Sequence, residues 1–565
     1  MKFMLHEKPI NLHQYRIIIL LICCALNLFL NYKNDSIRTQ ILSEENASPH
    51  KLNSRFDYLL FSSSDIVCSS SKVERPTLPD SLLSLKRHFM IHYTTSGDDA
   101  VSPADSNENS IPDRIEKIVD AFEQSYKVEI EQLNYQLPPS FEGGTKPYDI
   151  YVLDLNSNYA ITVTEGVDST AWEQKNVSSY ILFDNDFVGA GFIFQGDNAI
   201  KTIAAHEFFH AIQLGYVFRK TDSFFFELTA VWMEDQVFDE IDNYLYYLDY
   251  FFSAPDVPLI AVSFTIPGIF KHIYGSSVFA FYIAENFGQN AIRHIWEQMS
   301  DQSAMEAVNN VFKRNGSSFE WEFVKFAMWN FFTGSRSRSD FSYRDSHSYP
   351  EICVEKDTII HYYHQHDGQG YFLTTSYHIF HPVEAGNYKA LLYSDNKDHW
   401  RLGVIIYDEN SIRTDFINPD KTIQLENILK GQTIVLIPCN VDRFTNPSYV
   451  YLKHKPEKYT FILQRETTIL PTHVKPFQIQ HIYPNPFSRS VIFTIKKIRE
   501  TSLNIQIFNV QGQEVDRMVI HQLPLELNQI IWQAFNRNQN LPSGVYLCRF
   551  SAGKFSEIKK ILLYR

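Results

Sequence analysis

Cysteine is scarce in this chain, which has six cysteines among 565 residues. Two of them, Cys23 and Cys24, lie in an apolar run near the start of the chain. The other four are Cys68, Cys353, Cys439 and Cys548. These four are far apart and never show Cys-x-x-Cys spacing, which argues against a zinc site built from cysteine pairs. In an exported chain they could pair in more than one way, and free buried thiols remain an alternative.

Basic residues are outnumbered, because Lys and Arg total 51 whereas Asp and Glu total 65, for a formal net charge of -14. Binding to phosphates needs clustered positive charge, so nucleic acid is not expected as a main partner. Hydrophobic residues make up 44% of the chain and charged residues 21%, which is typical of a globular protein. A chain of this length is too long to fold around a single hydrophobic core, and we expect about three or four domains.

Long apolar runs are also missing, apart from residues 17–30. Basic residues precede that run and polar residues follow it. The run is shorter than the roughly 20 residues of a membrane-spanning helix, and the pattern is typical of a secretory signal peptide. We therefore predict a signal peptide over residues 1–30, with an N-terminal membrane anchor as the alternative. Residues 31–75 are predicted to form an N-terminal segment or a pro-region.

Hydrophobic periodicity divides the rest of the chain into a mixed region and a β-rich region. Strand-like alternation comes first and helical spacing follows, which indicates an α+β domain over residues 76–345. The predicted strands are 89–93, 148–155 and 179–183, and the predicted helices are 115–133, 199–214, 224–241, 274–287, 304–312 and 319–332. Short alternating runs then predict a β-sandwich domain over residues 350–466. A linker leads to a small C-terminal β-sandwich over residues 480–565.

The five-residue segment from His206 to His210 has the HExxH pattern, inside the predicted helix 199–214. Residues four apart on a helix lie on the same face, so His206 and His210 can both reach one metal ion. Glu207 faces the same cleft, where a carboxylate can take a proton from activated water. The alternative is a chance glutamate between two ordinary histidines.

A catalytic zinc needs a third protein ligand, and the next predicted helix offers Glu227. A glutamate in so apolar a stretch needs a partner, and a metal ion would be one. The small residues Thr229 and Ala230 would let the two helices approach closely. Glu234, seven residues further along the same face, and Asp235 are the alternative ligands.

These motifs resemble a known group of enzymes. HEFFH followed by Glu-x-x-Ala on the next helix resembles the gluzincin metallopeptidases. More closely, HEFFHAIQLGY followed by ELTAVWMEDQVFDEIDNYLYYL resembles a family of exported bacterial metallopeptidases typified in Myxococcus, from about residue 89 to about residue 335. The resemblance implies a zincin-like catalytic domain, with zinc bound by His206, His210 and Glu227 and with Glu207 as general base. Leu228 stands where related gluzincins often have glycine.

Gluzincin aminopeptidases often carry a downstream tyrosine that donates a hydrogen bond to the oxyanion. Tyr274, which opens the segment YGSSVFAFY, stands in a similar order. A phenol is a suitable donor to the charge that develops on the carbonyl oxygen. Tyr274 is therefore the predicted second catalytic residue. Simple packing at the start of a helix is the alternative, and His272 is a rival candidate.

Residues 105–116 match the ligand spacing of a twelve-residue calcium loop. The predicted ligands are Asp105, Asn107, Asn109, the carbonyl of Ile111, Asp113 and Glu116. Ser110 replaces the glycine that is usual at the sharp turn, and no helix clearly precedes the loop. The predicted role is structural, pinning the loop to the catalytic domain. An Asn- and Asp-rich turn that caps the following helix is the alternative.

The last segment, from residue 482 to residue 565, carries YPNPF, IFNVQGQEV, LPSGVYLCRF and KKILLYR in that order. This order resembles the C-terminal sorting domains of type IX secretion in Bacteroidetes-like bacteria. The resemblance implies passage across the outer membrane, followed by release or surface attachment, with the secretion machinery as a partner. A generic β-sandwich adhesion module is the alternative.

The predicted function is a secreted zinc-dependent peptidase that acts on a protein or peptide substrate. The predicted cofactors are a catalytic Zn²⁺ and a structural Ca²⁺. The alternative class is a non-catalytic, calcium-stabilised cell-surface binding or adhesion protein on a peptidase scaffold. Glu207 argues against that alternative, because a binding scaffold has no need of a general base.

Overall fold

The computed structural model describes residues 66–67, 75–156, 158–167, 173–189, 192–261, 269–339, 341–443, 455–466, 476–497, 502–520, 527–536, 539–553 and 555–564. The predicted signal peptide, nearly all of the predicted N-terminal segment and Cys68 lie outside these residues. The chain divides into two units, Met1–Glu466 and Thr467–Arg565.

The first unit begins with a mixed sheet of six strands in the order β1-β5-β7-β4-β3-β2. Its region contains the strands β1 Ile66–Val67, β2 Asp80–Leu83, β3 Phe89–Tyr93, β4 Tyr148–Leu153, β5 Ala160–Glu165, β6 Glu173–Gln174, β7 Ser178–Asp184 and β8 Phe218–Arg219. Strands β3, β4 and β7 are parallel neighbours, whereas β5 runs antiparallel to β7. Strand β3 alternates buried and half-buried side chains, as a strand with one face on a core should. The three predicted strands of this region are confirmed.

The helices of the first unit follow and interleave with this sheet. They are α1 Asp113–Tyr126, α2 Gly196–Tyr216, α3 Ser223–Val237, α4 Leu245–Phe252, α5 Ile269–Gly275, α6 Val278–Phe287, α7 Asn290–Met299, α8 Ala304–Arg314 and α9 Phe319–Phe331. Helix α1 continues directly into a π-helical stretch, Lys127–Gln132. Helix α2 packs against β5 and β7 of the sheet and against the helices α1 and α3. This placement puts the HExxH segment between the sheet and a second helix.

One predicted helix, residues 274–287, is divided in the structure. Helix α5 ends at Gly275 and α6 begins at Val278. At Gly275 the backbone approaches α4 so closely that an added Cβ would lie 2.4 Å from the carbonyl oxygen of Tyr247. Glycine is required there because any side chain would collide with that backbone. This packing between helices, which a periodicity pattern does not contain, sets the position of Tyr274.

Two further sheets complete the first unit, with orders β10-β17-β12-β15 and β14-β13-β16-β11-β9. Their strands are β9 Lys356–Ile360, β10 Tyr363–Gly370, β11 His378–Pro382, β12 Gly386–Tyr393, β13 Trp400–Tyr407, β14 Ile412–Ile417, β15 Thr422–Ile428, β16 Thr433–Asn440 and β17 Glu457–Arg465. Buried residues from both sheets, among them Phe380 and Phe461, form a shared core. Helix α9 packs on β13, where a Cβ added at Gly403 would lie 3.0 Å from Val324.

The second unit is built from β-strands in a three-stranded and a four-stranded sheet, ordered β18-β19-β22 and β21-β20-β25-β26, with a small pair β23-β24. Its strands are β18 Phe477–Tyr483, β19 Ser490–Lys497, β20 Leu503–Phe508, β21 Glu514–Ile520, β22 Leu527–Gln533, β23 Phe535–Asn536, β24 Gln539–Asn540, β25 Gly544–Ala552 and β26 Phe555–Leu563. Its own core includes Phe493, Trp532 and Phe550. A multidomain chain that ends in a β-rich domain is therefore confirmed.

Two buried cysteines and the helices that could be compared with a membrane span lie within the described residues. Cys439 and Cys548 are buried free thiols there. Burial raises the pKa of Cys548 to about 12 and raises the pKa of Cys439 further, so both thiols stay protonated. Among the helices within the ranges given above, none is long and apolar enough to cross a bilayer.

Candidate metal centre

Helix α2 carries the HExxH segment and is buried around its whole circumference near that segment. From Ala204 to Tyr216 every side chain of the helix is buried. A helix that is apolar on all sides belongs inside a protein, between other elements. The rings of His206 and His210 face each other nearly at right angles, with centroids 4.6 Å apart. Two imidazoles are thus held side by side where water is largely excluded.

Helix α3 brings Glu227 to both imidazoles. Glu227 Oε2 lies 3.4 Å from His206 Nε2 and 3.6 Å from His210 Nε2. One ligand atom from each of the three residues lies within 4.8 Å of the others, and all three side chains are buried. The structure therefore brings together the three predicted zinc ligands.

The chemistry of this donor set fits a metal ion. Within the described part of the chain, His210 Nε2 and both carboxylate oxygens of Glu227 are buried without a hydrogen bond. Leaving a buried carboxylate without such partners is costly, and a cation held between these atoms would offset that cost. Two imidazoles and one carboxylate form the ligand set of many catalytic zinc sites, with one coordination position left open.

Each histidine is held from behind by a hydrogen bond to its Nδ1 atom. His210 Nδ1 lies 2.7 Å from Gln213 Oε1, and Gln213 Nε2 donates to the carbonyl of Phe226 and to Thr229 Oγ1. Because the amide nitrogen of Gln213 already has two acceptors, its oxygen must accept from Nδ1–H of His210. The Nε2 lone pair of His210 is then directed at Glu227, as a metal ligand requires.

Glu234 plays the corresponding part for His206. Its Oε1 atom lies 2.7 Å from His206 Nδ1, on the far side of the ring from Glu227. Glu234, the rival ligand, therefore lies behind the imidazole and not beside the other two ligand atoms. Asp235, the other rival, points toward Arg344, with 3.7 Å between its Oδ2 and Nη2 of Arg344. The sequence places Glu234 on the correct helix face, but only the packing of α2 on α3 shows which atom it reaches.

The electrostatics of the site favour positive charge. Burial alone would lower the pKa of His206, but the carboxylates of Glu227 and Glu234 outweigh burial and raise it well above its ordinary value. Burial would raise the pKa of Glu227, but His210 and His206 outweigh burial and lower it to about 2. The centre therefore attracts a cation, and a divalent metal can take the place of the proton.

Glu207 is fixed beside this centre by the sheet. The side chain is 1% exposed, and its Oε2 atom accepts a hydrogen bond of 2.6 Å from Thr162 Oγ1 on β5. Thr162 lies on a strand far from the motif in sequence, so no sequence pattern identifies it as the partner of Glu207. The bond holds the carboxylate of Glu207 in one orientation, one residue along the helix from His206.

Tyr274 also lies near the centre. Its ring centroid is 5.9 Å from that of His206 and 5.0 Å from that of Tyr247. His272 does not share this place, because the ring is fully buried with its nitrogens 3.4 Å and 3.3 Å from the carbonyl oxygens of Tyr250 and Pro258. Burial lowers the pKa of His272 to about 4, so this ring is neutral. Of the two candidates, Tyr274 is the one beside His206.

The predicted calcium loop forms a closed, exposed turn before α1. Asp105 accepts hydrogen bonds from the backbone of Asn109 and Ser110, while the amide nitrogens of Asn107 and Asn109 lie against the carboxylate of Glu116. Ser110 has a φ of 69°, the left-handed conformation that glycine usually supplies at this position of a calcium loop.

Two predicted calcium ligands lie at the C-terminal side of that turn. Asp113 begins α1 and accepts hydrogen bonds from the backbone nitrogen and the hydroxyl of Ser106, which lower its pKa. The backbone nitrogen of Ile111 donates to Asn109 Oδ1. The structure thus gathers Asp105, Asn107, Asn109 and Glu116 and anchors Asp113 separately. Calcium binding stays a prediction.

Two parts of the chain match known families. Residues 481–564 match the family described as "Secretion system C-terminal sorting domain", and residues 83–333 match a family of unknown function, DUF6055. No curated protein matches the chain.

Similar solved structures include a mitogen from Yersinia pseudotuberculosis, which is 14% identical over 20% of this chain and 91% of its own, with a TM-score of 0.15. Two others are β-glucuronidases. The enzyme from Faecalibacterium prausnitzii is 9% identical, over 36% of this chain and 37% of its own, with a TM-score of 0.12. The enzyme from Parabacteroides merdae is 12% identical, over 32% of this chain and 28% of its own, with a TM-score of 0.12. TM-scores this low support no conclusion about fold or activity.

The family match of the C-terminal residues indicates the localisation of the protein. The β-rich second unit holds the matched residues, from residue 481 in β18 to residue 564. The predicted type IX sorting domain is therefore confirmed, and the protein has the type IX secretion machinery as a partner. The protein is exported through the outer membrane, to the cell surface or to the exterior.

Proposed function

We propose that the first unit contains a zincin-like catalytic domain and that the protein is a zinc-dependent peptidase. The observation that carries this proposal is the convergence of His206 Nε2, His210 Nε2 and the carboxylate of Glu227 within 4.8 Å in a buried site. Glu207, held by Thr162, supplies the carboxylate that hydrolysis needs beside such a site.

The residues of the chain can be given roles in peptide hydrolysis. His206, His210 and Glu227 would hold zinc, and Glu234 and Gln213 would orient the two imidazoles. Zinc, when bound, would lower the pKa of water and polarise the substrate carbonyl. Glu207 would then accept a proton from the water that forms the new C–O bond. It would pass that proton to the amine nitrogen as the C–N bond breaks.

Tyr274 completes the proposed site. As the carbonyl carbon becomes tetrahedral, negative charge develops on its oxygen. The phenol of Tyr274 would donate a hydrogen bond to that oxygen, since its ring lies beside His206. A donor of this kind acts mainly on the transition state, so its loss should lower kcat more than it changes KM.

The test is the Glu207→Gln variant of the full secreted chain, assayed on casein and on a peptide library with and without a zinc chelator. We expect about one zinc at this centre, chelator-sensitive cleavage by the parent, and a fall in kcat of about 10²–10⁴-fold in the variant, because general acid–base catalysis contributes that much. Zinc content should not change, because Glu207 is not a ligand.

The control is Glu240→Gln, which removes a carboxylate that is 65% exposed and pairs with Lys201 on the surface. Cleavage by Glu207→Gln at the parental rate would show that the general-base assignment is wrong. A parent that binds no zinc at His206 and His210 and shows no chelator-sensitive cleavage would instead favour a non-catalytic surface binding protein.

A further inference from the structure

A second group of metal-binding side chains lies in the two-sheet region of the first unit, far along the chain from HExxH. The group consists of Glu355, His366 and His378, and one ligand atom from each lies within 4.8 Å of the others. Glu355 Oε1 is 3.4 Å from His366 Nε2, and Glu355 Oε2 is 3.6 Å from His378 Nε2. One carboxylate thus faces two imidazoles, each through a different oxygen.

The two histidines come from opposite sheets. His366 lies on β10 in the four-stranded sheet, and His378 opens β11 in the five-stranded sheet. Their ring centroids are 4.4 Å apart, and two residues along each strand His364 lies 4.9 Å from Phe380. The inward faces of β10 and β11 therefore meet at these side chains, and Glu355 reaches them from the residue before β9.

Burial leaves the polar atoms of this group short of partners. His378 is fully buried, and among the described residues its Nδ1 atom makes no hydrogen bond. Its Nε2 atom has one neutral neighbour, Ser376 Oγ at 3.1 Å. The Nε2 atom of His366 is also buried without a hydrogen bond in the described part of the chain. Of the two ring nitrogens that face Glu355, His366 Nε2 thus lacks a hydrogen bond among the described residues and His378 Nε2 has only Ser376. A buried imidazole nitrogen without a partner is costly.

We propose that Glu355, His366 and His378 bind a divalent transition metal of the zinc class. Two imidazole nitrogens and one carboxylate oxygen suit such an ion. The 3.4 and 3.6 Å separations between the carboxylate and the ring nitrogens are those of ligands that share one ion at about 2.0–2.2 Å in tetrahedral geometry. The ion joins both sheets to the segment that leaves the helical region.

A cavity gives the ion a route to the site. Its volume is about 430 Å³, and its lining includes Glu355, Ser376 and Tyr459. Tyr459 Oη and Ser376 Oγ are 2.8 Å apart and stand at the wall next to His378. The carboxylate of Glu355 is 51% exposed and lines this cavity, so an ion can reach it from the cavity side. Because Glu355 lines this cavity, water or a small ligand could also reach the ion from that side and complete its coordination.

The test counts zinc in the full chain after chelation, reloading with excess Zn²⁺ and removal of the unbound ion. We expect His366→Ala and Glu355→Gln each to hold one zinc fewer per chain than the parent. Because the readout is a difference from the parent, it holds whether or not zinc binds at His206 and His210. Failure of the peptidase proposal and failure of the site at Glu355, His366 and His378 therefore give different zinc counts.

The matched control is His381→Ala, which removes an exposed histidine from β11, the strand that carries His378. The Nε2 atom of His381 lies 2.8 Å from Asp357 Oδ1. This variant should keep the parental zinc content. Co²⁺ loading gives a second measurement, since the parent should show one more set of visible d–d bands than His366→Ala. Folded His366→Ala and Glu355→Gln proteins with the parental zinc content would overturn the proposal, and the group would then be a buried histidine cluster that binds no metal.

Discussion

The support of His206 by Glu234 gives a sharp test of the proposed zinc centre. In Glu234→Ala the carboxylate that lies 2.7 Å from His206 Nδ1 is removed, while the three metal ligands remain. A hydrogen bond to a charged group contributes about 1.5–3 kcal/mol. Metal binding withdraws charge from the ring and strengthens this bond, so most of that energy should appear as lost zinc affinity.

We therefore expect zinc to bind Glu234→Ala about 10–100-fold more weakly than the parent, in line with the effect of removing groups that orient metal-bound histidines. Glu234→Gln should lose less, because its amide oxygen can still accept from Nδ1–H. Competition with a chromophoric zinc chelator at fixed pH measures both affinities. The pH matters because the protonated form of His206 competes with the metal.

The matched control is Asp235→Asn, the neighbouring carboxylate on α3, which faces Arg344 instead of the centre. Its zinc affinity should equal that of the parent. Equal zinc affinity in Glu234→Ala and the parent, with both proteins folded, would refute the reasoning. Such a result would mean that Glu234 does not orient His206 or that His206 is not a ligand.

Three further predictions concern catalysis, stability and calcium. Tyr274→Phe should lower kcat about 10²–10³-fold with zinc content and KM nearly unchanged, and a normal kcat would remove Tyr274 from the mechanism. Burial raises the pKa of Asp235 to about 7, so its carboxyl group lowers the stability of the native state progressively as the pH rises from about 4 to 7. Denaturant titrations should therefore show that Asp235→Asn raises the unfolding free energy at pH 8 by up to about 4 kcal/mol but does not change it at pH 4. Calcium should raise the Tm of the parent more than that of Glu116→Gln, and equal melting curves with and without calcium would reject a structural calcium in this loop.

Local patterns were sufficient for most of the elements around the centre. Helical spacing predicted a helix over residues 199–214, and the structure has α2 at Gly196–Tyr216. The spacing of four residues between His206 and His210 is enough to place them on one face, because helix geometry is the same in every protein. The apolar setting of Glu227 also indicated its role as their partner, since a lone buried carboxylate needs one.

Side-chain partners across elements could not be predicted in the same way. Thr162 reaches Glu207 from β5, and Gln213 reaches His210 while its amide is held by α3. These contacts depend on the packing of α2 between a sheet and a helix. The break at Gly275 likewise follows from the close approach of α4. None of these distances is encoded in a local repeat.

The sequence by itself determined most of the helices and strands, the HExxH pair and the C-terminal sorting domain, because each depends on residues that are close together in the chain or on the order of short motifs. Only the tertiary structure decided that Glu234 lies behind His206 and that Glu355, His366 and His378 meet. Glu355, His366 and His378 stand on three different segments, and two of the strands belong to opposite sheets. The physical reason is that metal sites need ligand atoms a few ångströms apart, and the packing of sheets and helices, not spacing along the chain, sets that distance.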